Sequence, residues 1–166
     1  MMQSKCSMKV TIITAAYNAA KTLAETLDSV DRQSHPDVEH IIVNGASTDG
    51  TQSIIEQYRD KLAAVVSGPD HGVYDAMNKG LALASGDVVG FLNADDVYAD
   101  QDVLSRVADI MERESLDALF GDVEFFKPND PTRTVRRYRS ARFSPDKIAL
   151  GWMPAHPALF LRRRVY

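Results

Sequence analysis

Gly86-Asp87-Val88-Val89-Gly90-Phe91-Leu92-Asn93-Ala94-Asp95-Asp96 is a short apolar run that stops abruptly in an amide and two carboxylates. Val88 to Leu92 reads as a strand buried on both faces, the habit of a parallel sheet covered by helices. In open α/β sheets, ligands bind outside the carboxyl ends of the strands, so polar side chains placed right after such a run project into a cleft. Two adjacent carboxylates there are costly unless something cationic neutralises them. A divalent ion holding a substrate diphosphate does so. The plain alternative is a solvated turn with Asp95 capping the next helix.

Working outward, Lys9 to Ala15 is β-branched and apolar and predicts a buried strand. Asn18 is placed to cap the following helix, whose apolar positions Ala20, Leu23, Ala24, Leu27 and Val30 recur at helical spacing. Glu39 to Val43 predicts a second strand, Thr51 to Tyr58 a short helix and Leu62 to Ser67 a third strand. Val73, Ala76, Met77, Gly80, Leu81 and Ala84 fit one helical stripe. Gly80 on that stripe allows close helix packing. After the Asp87 to Leu92 strand come a helix from about Gln101 to Glu114 and a strand over Ala118 to Phe126. The alternation predicts an α/β fold, a mostly parallel sheet with helices on both faces. Pro128 to Pro131 reads as a turn, Arg133 to Arg139 as an edge strand and Ala158 to Arg162 as a last strand. Arg162 to Tyr166 carries no stop signal and reads like the middle of an element, so the domain, residues 9–166 after a tail over 1–8, is expected to be truncated at its C-terminus.

At 166 residues, with 45% apolar and 25% charged residues, the chain has the composition of one globular domain. Its single cysteine, Cys6, excludes a disulfide framework and a cysteine metal site. The start lacks the apolar core of a signal peptide, and no stretch approaches the roughly 20 apolar residues that span a bilayer. A reducing, cytoplasmic setting fits. The net charge of −4 is uneven: from Arg133 onward nine Lys or Arg stand against one acid, Asp146, a balance of +8 that leaves −12 on the preceding residues. Such an end suggests contact with phosphates or with the inner face of the plasma membrane, the alternative being solvated arginines along an exposed strand.

The loops after successive strands share a chemistry. Thr14-Ala15-Ala16-Tyr17-Asn18 offers a ring that can stack on a base. Asn44-Gly45-Ala46-Ser47-Thr48-Asp49-Gly50-Thr51 combines small residues with hydrogen-bonding side chains. Asp70-His71-Gly72 leads into a helix on which Asp75 and Asn78 are neighbours. Asn93-Ala94-Asp95-Asp96 closes the set. An aromatic ring, polar loops and carboxylates suit a nucleotide diphosphate such as UDP or GDP. The lysine-bearing phosphate loop and the dinucleotide glycine motif are both absent, which argues against ATPase and dinucleotide oxidoreductase chemistry.

These four segments, in this order, resemble a family 2 glycosyltransferase with the nucleotide-sugar-binding GT-A fold, in particular the bacterial enzymes of exopolysaccharide and colanic acid assembly. The resemblance implies that Thr14, Ala16 and Tyr17 lie at the base and ribose and that Asn44 and Asp49 belong to the nucleotide site. It also implies that Asp70 and Asn78 line or brace the pocket, and that Asn93 and Ala94 contact the nucleotide. Asp95 and Asp96 would hold Mn2+ or Mg2+. Asn44 and Asn93 depart from the family, which commonly has aspartate at both places. The implied reaction is metal-dependent and inverting, from a nucleotide-diphosphate sugar donor to a glycan or lipid-linked acceptor, with peripheral membrane contact and no nucleic-acid partner. His156 is a candidate catalytic residue at the position of an acceptor-loop histidine. The general base would be an acid beyond Tyr166, since none follows Leu150. A nucleotide-sugar-binding domain without catalysis is the second reading. A response-regulator domain fits poorly, because Ala15-Ala16-Tyr17 stands where it needs paired acids.

Overall fold

The computed structural model describes residues 7–127 and 130–166. Cys6 and the Pro128–Asn129 part of the expected turn lie outside the described residues.

Four strands of the main sheet are parallel: β1 (Val10–Ala16), β2 (Val38–Asn44), β3 (Ala64–Ser67) and β4 (Val88–Phe91). β1 is central, with Val10, Ile12 and Ile13 essentially inaccessible, as its β-branched composition requires. Helices α1 (Leu23–Asp31), α2 (Thr51–Gln57) and α4 (Val103–Arg113) share the face where Ile12, Leu27, Ile42, Ile55, Leu104 and Met111 pack. Helix α3 (Val73–Leu81) covers the other face over Ile13, Ile41 and Val89. The α/β expectation therefore stands.

The second half differs from the expectation. The run Ala118 to Phe126 is not one strand. It breaks at Gly121-Asp122 into β5 (Ala118–Phe120) and β6 (Val123–Lys127), which belong to different sheets. β6 pairs antiparallel with β7 (Asp130–Tyr138), so the basic strand forms a separate two-stranded ribbon and not an edge of the main sheet. β8 (Leu159–Arg162) runs antiparallel between β4 and β5, giving the order β3-β2-β1-β4-β8-β5. Arg163–Val165 forms a single tight turn. Val73, counted on the buried stripe of α3, is 47% exposed, while Ala76, Met77 and Gly80 are buried. Met8, placed by sequence in the tail, packs into the core and its carbonyl meets His35 Nε2 at 2.7 Å.

The amino ends of the strands are closed by a polar network. Glu39 takes hydrogen bonds from Lys9, Thr11 and the Ser85 hydroxyl and N–H. Burial opposes its charge, but these four donors outweigh burial and hold the carboxyl at about 2.

Candidate functional site

β1 and β2 finish side by side, Ala16 opposite Asn44, and their loops are sewn together. The Asn18 N–H donates to Ser47 Oγ and Thr48 N–H donates to Asn18 Oδ1, both at 2.9 Å. Ala19 N–H donates to Thr51 Oγ1 at 2.8 Å and Ala20 N–H to Asp49 Oδ2 at 3.0 Å. Asn18 therefore joins two loops instead of capping α1, which begins only at Leu23. Its left-handed backbone, φ 49°, is one an asparagine tolerates. The Thr51 hydroxyl and the Ala20 and Thr51 N–H groups keep the Asp49 carboxyl below its ordinary range. Asp49 thus serves as the brace of the double loop.

Several residues expected at the ligand face inward. Thr14 is fully buried and its hydroxyl meets His40 Nε2 at 3.1 Å, so its side chain does not reach the cleft. Ala16 is buried, and its carbonyl accepts from Gly45 N–H. Asn44 is 2% exposed: Nδ2 donates to Gln52 and Oδ1 accepts from Ser47 N–H and Oγ, which commits both ends of the amide to the loop. Ser47 and Gln52 are the partners that sequence reading missed. The spacing Asn-Gly-x-Ser, whose polar side chains can bond to their own loop, is a signal that could have found Ser47.

What is exposed at these strand ends is Tyr17, at 69%, with the half-buried Asp70 near it across Gly45. A Cβ at Gly45 would overlap Asp70 Oδ2 and come 3.4 Å from the Tyr17 ring, so the loops after β1, β2 and β3 meet at this glycine. Asp70 Oδ1 accepts the Gly72 N–H at 3.0 Å and closes the turn into α3. On α3, Asp75 pairs with Lys79 at 2.9 Å and Lys79 also donates to the Pro69 carbonyl, so both are spent holding that turn. Asn78 is exposed on the same helix.

The loop after β4 forms the acidic corner. Asn93 Nδ2 donates to Asp96 Oδ2 at 2.7 Å, and Asn93 Oδ1 lies 3.1 Å from His156 Nε2. Ala94 is buried and Asp95 is exposed. Partial burial, aided by the charge of Asp95, raises the Asp96 carboxyl above its ordinary range. Among the described residues no group of three or more His, Cys, Asp or Glu forms a ready cage for a metal. The corner brings together Asn93, Asp96 and His156, with Asp95 exposed beside them.

The positive C-terminal third is largely spent on structure. Arg162 donates to the Leu116 and Met111 carbonyls, Arg163 to Gly86 and Arg164 to Asp117. Arg137 pairs with Asp122 and Glu124, and Arg136 lies over the Phe125 ring. Among the described residues no helix is long and apolar enough to cross a membrane.

Known proteins share this architecture. A family model described as Glycosyl transferase family 2 matches residues 11–165. A PGL/p-HBAD biosynthesis glycosyltransferase of Mycobacterium tuberculosis is 36% identical over 159 residues, covering 93% of this chain and 59% of that protein. The putative teichuronic acid biosynthesis glycosyltransferase TuaG of Bacillus subtilis is 38% identical over 107 residues, 63% of this chain and 42% of the relative. The chain therefore spans about three fifths of the first relative's length. The crystal structure of S. aureus TarS 1–349 with UDP-GlcNAc superposes with a TM-score of 0.78 at 25% identity, covering 95% of this chain and 46% of that one. The mannosyltransferase PcManGT of Pyrobaculum calidifontis, solved with GDP-Man and Mn2+, gives 0.65 at 28% identity over 76% of this chain and 38% of its own.

Proposed function

The chain belongs to glycosyl transferase family 2, and from that premise we propose that its cleft binds a nucleotide-diphosphate sugar and supports inverting transfer of the sugar to a glycan or lipid-linked acceptor in bacterial polysaccharide synthesis. The observation that carries this reading is the convergence of Tyr17, Gly45, Asp70 and the Asn93–Asp96 loop along one carboxyl edge of a parallel sheet.

Each part has a task. Tyr17 offers its exposed ring to the base, and Gly45 lets the backbone approach the ribose closely. Asp70 faces the donor from the loop after β3, with Asn78 behind it. Asn44 and Asp49 hold the double loop in shape before the ligand arrives, so little ordering remains on binding. Thr14 acts from below, fixing His40 within the sheet. Asp95 and Asp96 would hold Mn2+ or Mg2+, which would supply positive charge to the diphosphate of the leaving group. The acceptor hydroxyl attacks the anomeric carbon in line and gives its proton to a general base. This chemistry belongs in the cytoplasm.

The test is thermal stabilisation by UDP and GDP with and without Mn2+. Ligand at 100 times its dissociation constant should contribute about 2.7 kcal/mol. Asp95→Ala should abolish the metal-dependent part while leaving the unliganded protein as stable as before. Metal-dependent binding unchanged in that variant would refute the assignment. The amides at Asn44 and Asn93 favour a second reading, a domain that binds the donor without turnover. Donor hydrolysis by the protein, scored against Asp95→Ala, separates the two.

A further inference from the structure

The β6–β7 ribbon has two unlike faces. Val123 stands opposite Tyr138, Phe125 opposite Arg136 and, between them, Glu124 opposite Arg137. Side chains alternate along a strand, so Val123, Phe125, Arg136 and Tyr138 share one face, and Glu124 and Arg137 share the other. On the second face the charges cancel: Arg137 lies 3.3 Å from Asp122 and 3.2 Å from Glu124. The first face carries no acid over these pairs. Arg136 sits 5.6 Å over the Phe125 ring, and both residues are exposed. Tyr138 carries this face into the chain that follows, stacking on Trp152 at 5.3 Å and donating its hydroxyl to the Met153 carbonyl at 2.9 Å. Lys147 lies 5.7 Å over the Trp152 ring and donates to the Arg142 carbonyl. The turn that ends at Gly151 leaves Ile148, Leu150 and Met153 in solvent. Leu150, 84% exposed, is the most exposed large apolar side chain among the described residues.

We propose that this face docks on an anionic bilayer, with Ile148, Leu150 and Met153 entering the headgroup layer and Arg136 and Lys147 at the lipid phosphates. A cluster of exposed apolar side chains marks a contact surface. Here the cluster stands beside two cations with long stems, which lie along apolar material while the charge stays with water and phosphate. Tyr and Trp rings have the same two-sided preference and settle at the level of the headgroups. Charge selects the lipid: from Arg133 to Tyr166 the only acid is Asp146, against nine Lys or Arg. Arg162, Arg163 and Arg164 are bonded to the body of the protein, so the attraction falls to the ribbon and the turn. No helix among the described residues could cross a bilayer, so the contact is peripheral. Met153 is three positions before His156, which limits their Cα separation to about 11 Å. Docking therefore brings the Asn93–His156 corner close to the bilayer surface, and it needs no nucleotide in the cleft.

Trp152 is the only tryptophan of the chain, so its emission reads this face directly. The whole chain is mixed with vesicles of phosphatidylcholine alone, or of phosphatidylcholine with phosphatidylglycerol. The mixed vesicles should co-sediment the protein and shift its emission to the blue, and the neutral ones should do neither. Salt should weaken the attachment as the Debye length shortens. Leu150→Ser should weaken it about tenfold, and Arg136→Gln and Lys147→Gln about fivefold each. Arg59→Gln removes the same charge next to β3, at the far edge of the main sheet, and should leave attachment unchanged. Because Leu150 is so exposed, its variant should match the native protein in urea unfolding and in UDP binding, the separate readout of the donor site. Native protein that ignores the mixed vesicles, attachment without a shift in Trp152 emission, or attachment unchanged in Leu150→Ser would overturn the proposal. So would a dimer in light scattering that Leu150→Ser dissolves, which would assign the face to a second copy of the chain.

Discussion

Gly45 lies so close beneath Asp70 that a single added methyl group would overlap the Asp70 carboxylate. The two residues follow different strands, β2 and β3, and their contact sets how the walls of the cleft meet. Asp70 is also tied to the Gly72 N–H, so it cannot retreat without opening the turn into α3. Gly45→Ala is therefore expected to displace the carboxylate from the donor cleft while touching little of the core. Because Gly45 is itself buried and Asp70 is tied to the turn, the overlap should also cost about 1–3 kcal/mol of stability, while affinity for a nucleoside diphosphate sugar falls about tenfold or more. Urea unfolding and calorimetric titration on the same sample check both.

Gly80 gives a prediction away from the donor site. In the middle of an exposed helix, Gly→Ala is worth about 1 kcal/mol of stabilisation. Here a Cβ would collide with Ile13 Cγ2 and press on Val43 at 3.4 Å, and Ile13 is buried at the centre of the sheet. Overpacking costs typically 1–3 kcal/mol, so Gly80→Ala should be net destabilising by up to about 2 kcal/mol. A variant more stable than the native chain in urea would show that α3 can lift from the sheet.

The sequence made the first four strands legible because each is a continuous apolar run buried on both faces, and such runs have few other readings. The register of the α1 stripe against the core was equally clear for Leu23, Leu27 and Val30. What stayed hidden depends on contacts distant in the chain. Ala118 to Phe126 alternates well enough to pass for one strand, and only pairing with β8 on one side and β7 on the other divides it. At the strand ends Tyr17 and Asp95 are exposed, whereas Thr14 and Asn44 have the same residue chemistry but point into the protein. Pattern gives which loops converge. Which side chain of a loop faces outward is decided by partners such as His40, Gln52 and Ser47.

Tyr17 tests the nucleoside end of the cleft. Its ring is exposed and lies beside Gly45, so it offers stacking area more than a hydroxyl contact. Stacking of a base on an aromatic side chain is worth about 1–3 kcal/mol by alanine substitution. Tyr17→Ala should therefore weaken UDP or GDP binding by roughly five- to a hundred-fold, and Tyr17→Phe should stay within about twofold of native. Equal losses in the two variants would assign the contact to the hydroxyl.

Adjacent residues on β2 should make acid destabilise the protein in two separate windows. His40 is sealed in the interior, and burial lowers its ring to about 4, so the native state holds it neutral. The unfolded chain binds that proton near 6.5. Stability is thus complete above pH 6.5 and falls as pH drops from 6.5 toward 4, by up to about 3 kcal/mol. Glu39, on the opposite face of the sheet, is held near 2 against burial by its Ser85, Thr11 and Lys9 donors. Its contribution is complete above about 4.5 and disappears as pH falls from there toward 2, again by about 3 kcal/mol. His40→Gln keeps a partner for the Thr14 hydroxyl and should flatten the upper window alone. Glu39→Gln should flatten the lower one, at the cost of a lower plateau at neutral pH because Lys9 loses its ion pair. Unfolding free energies from urea titrations between pH 3 and 7.5 resolve the two, and a native profile flat from pH 6.5 to 4 would show that His40 takes up its proton without opening the sheet.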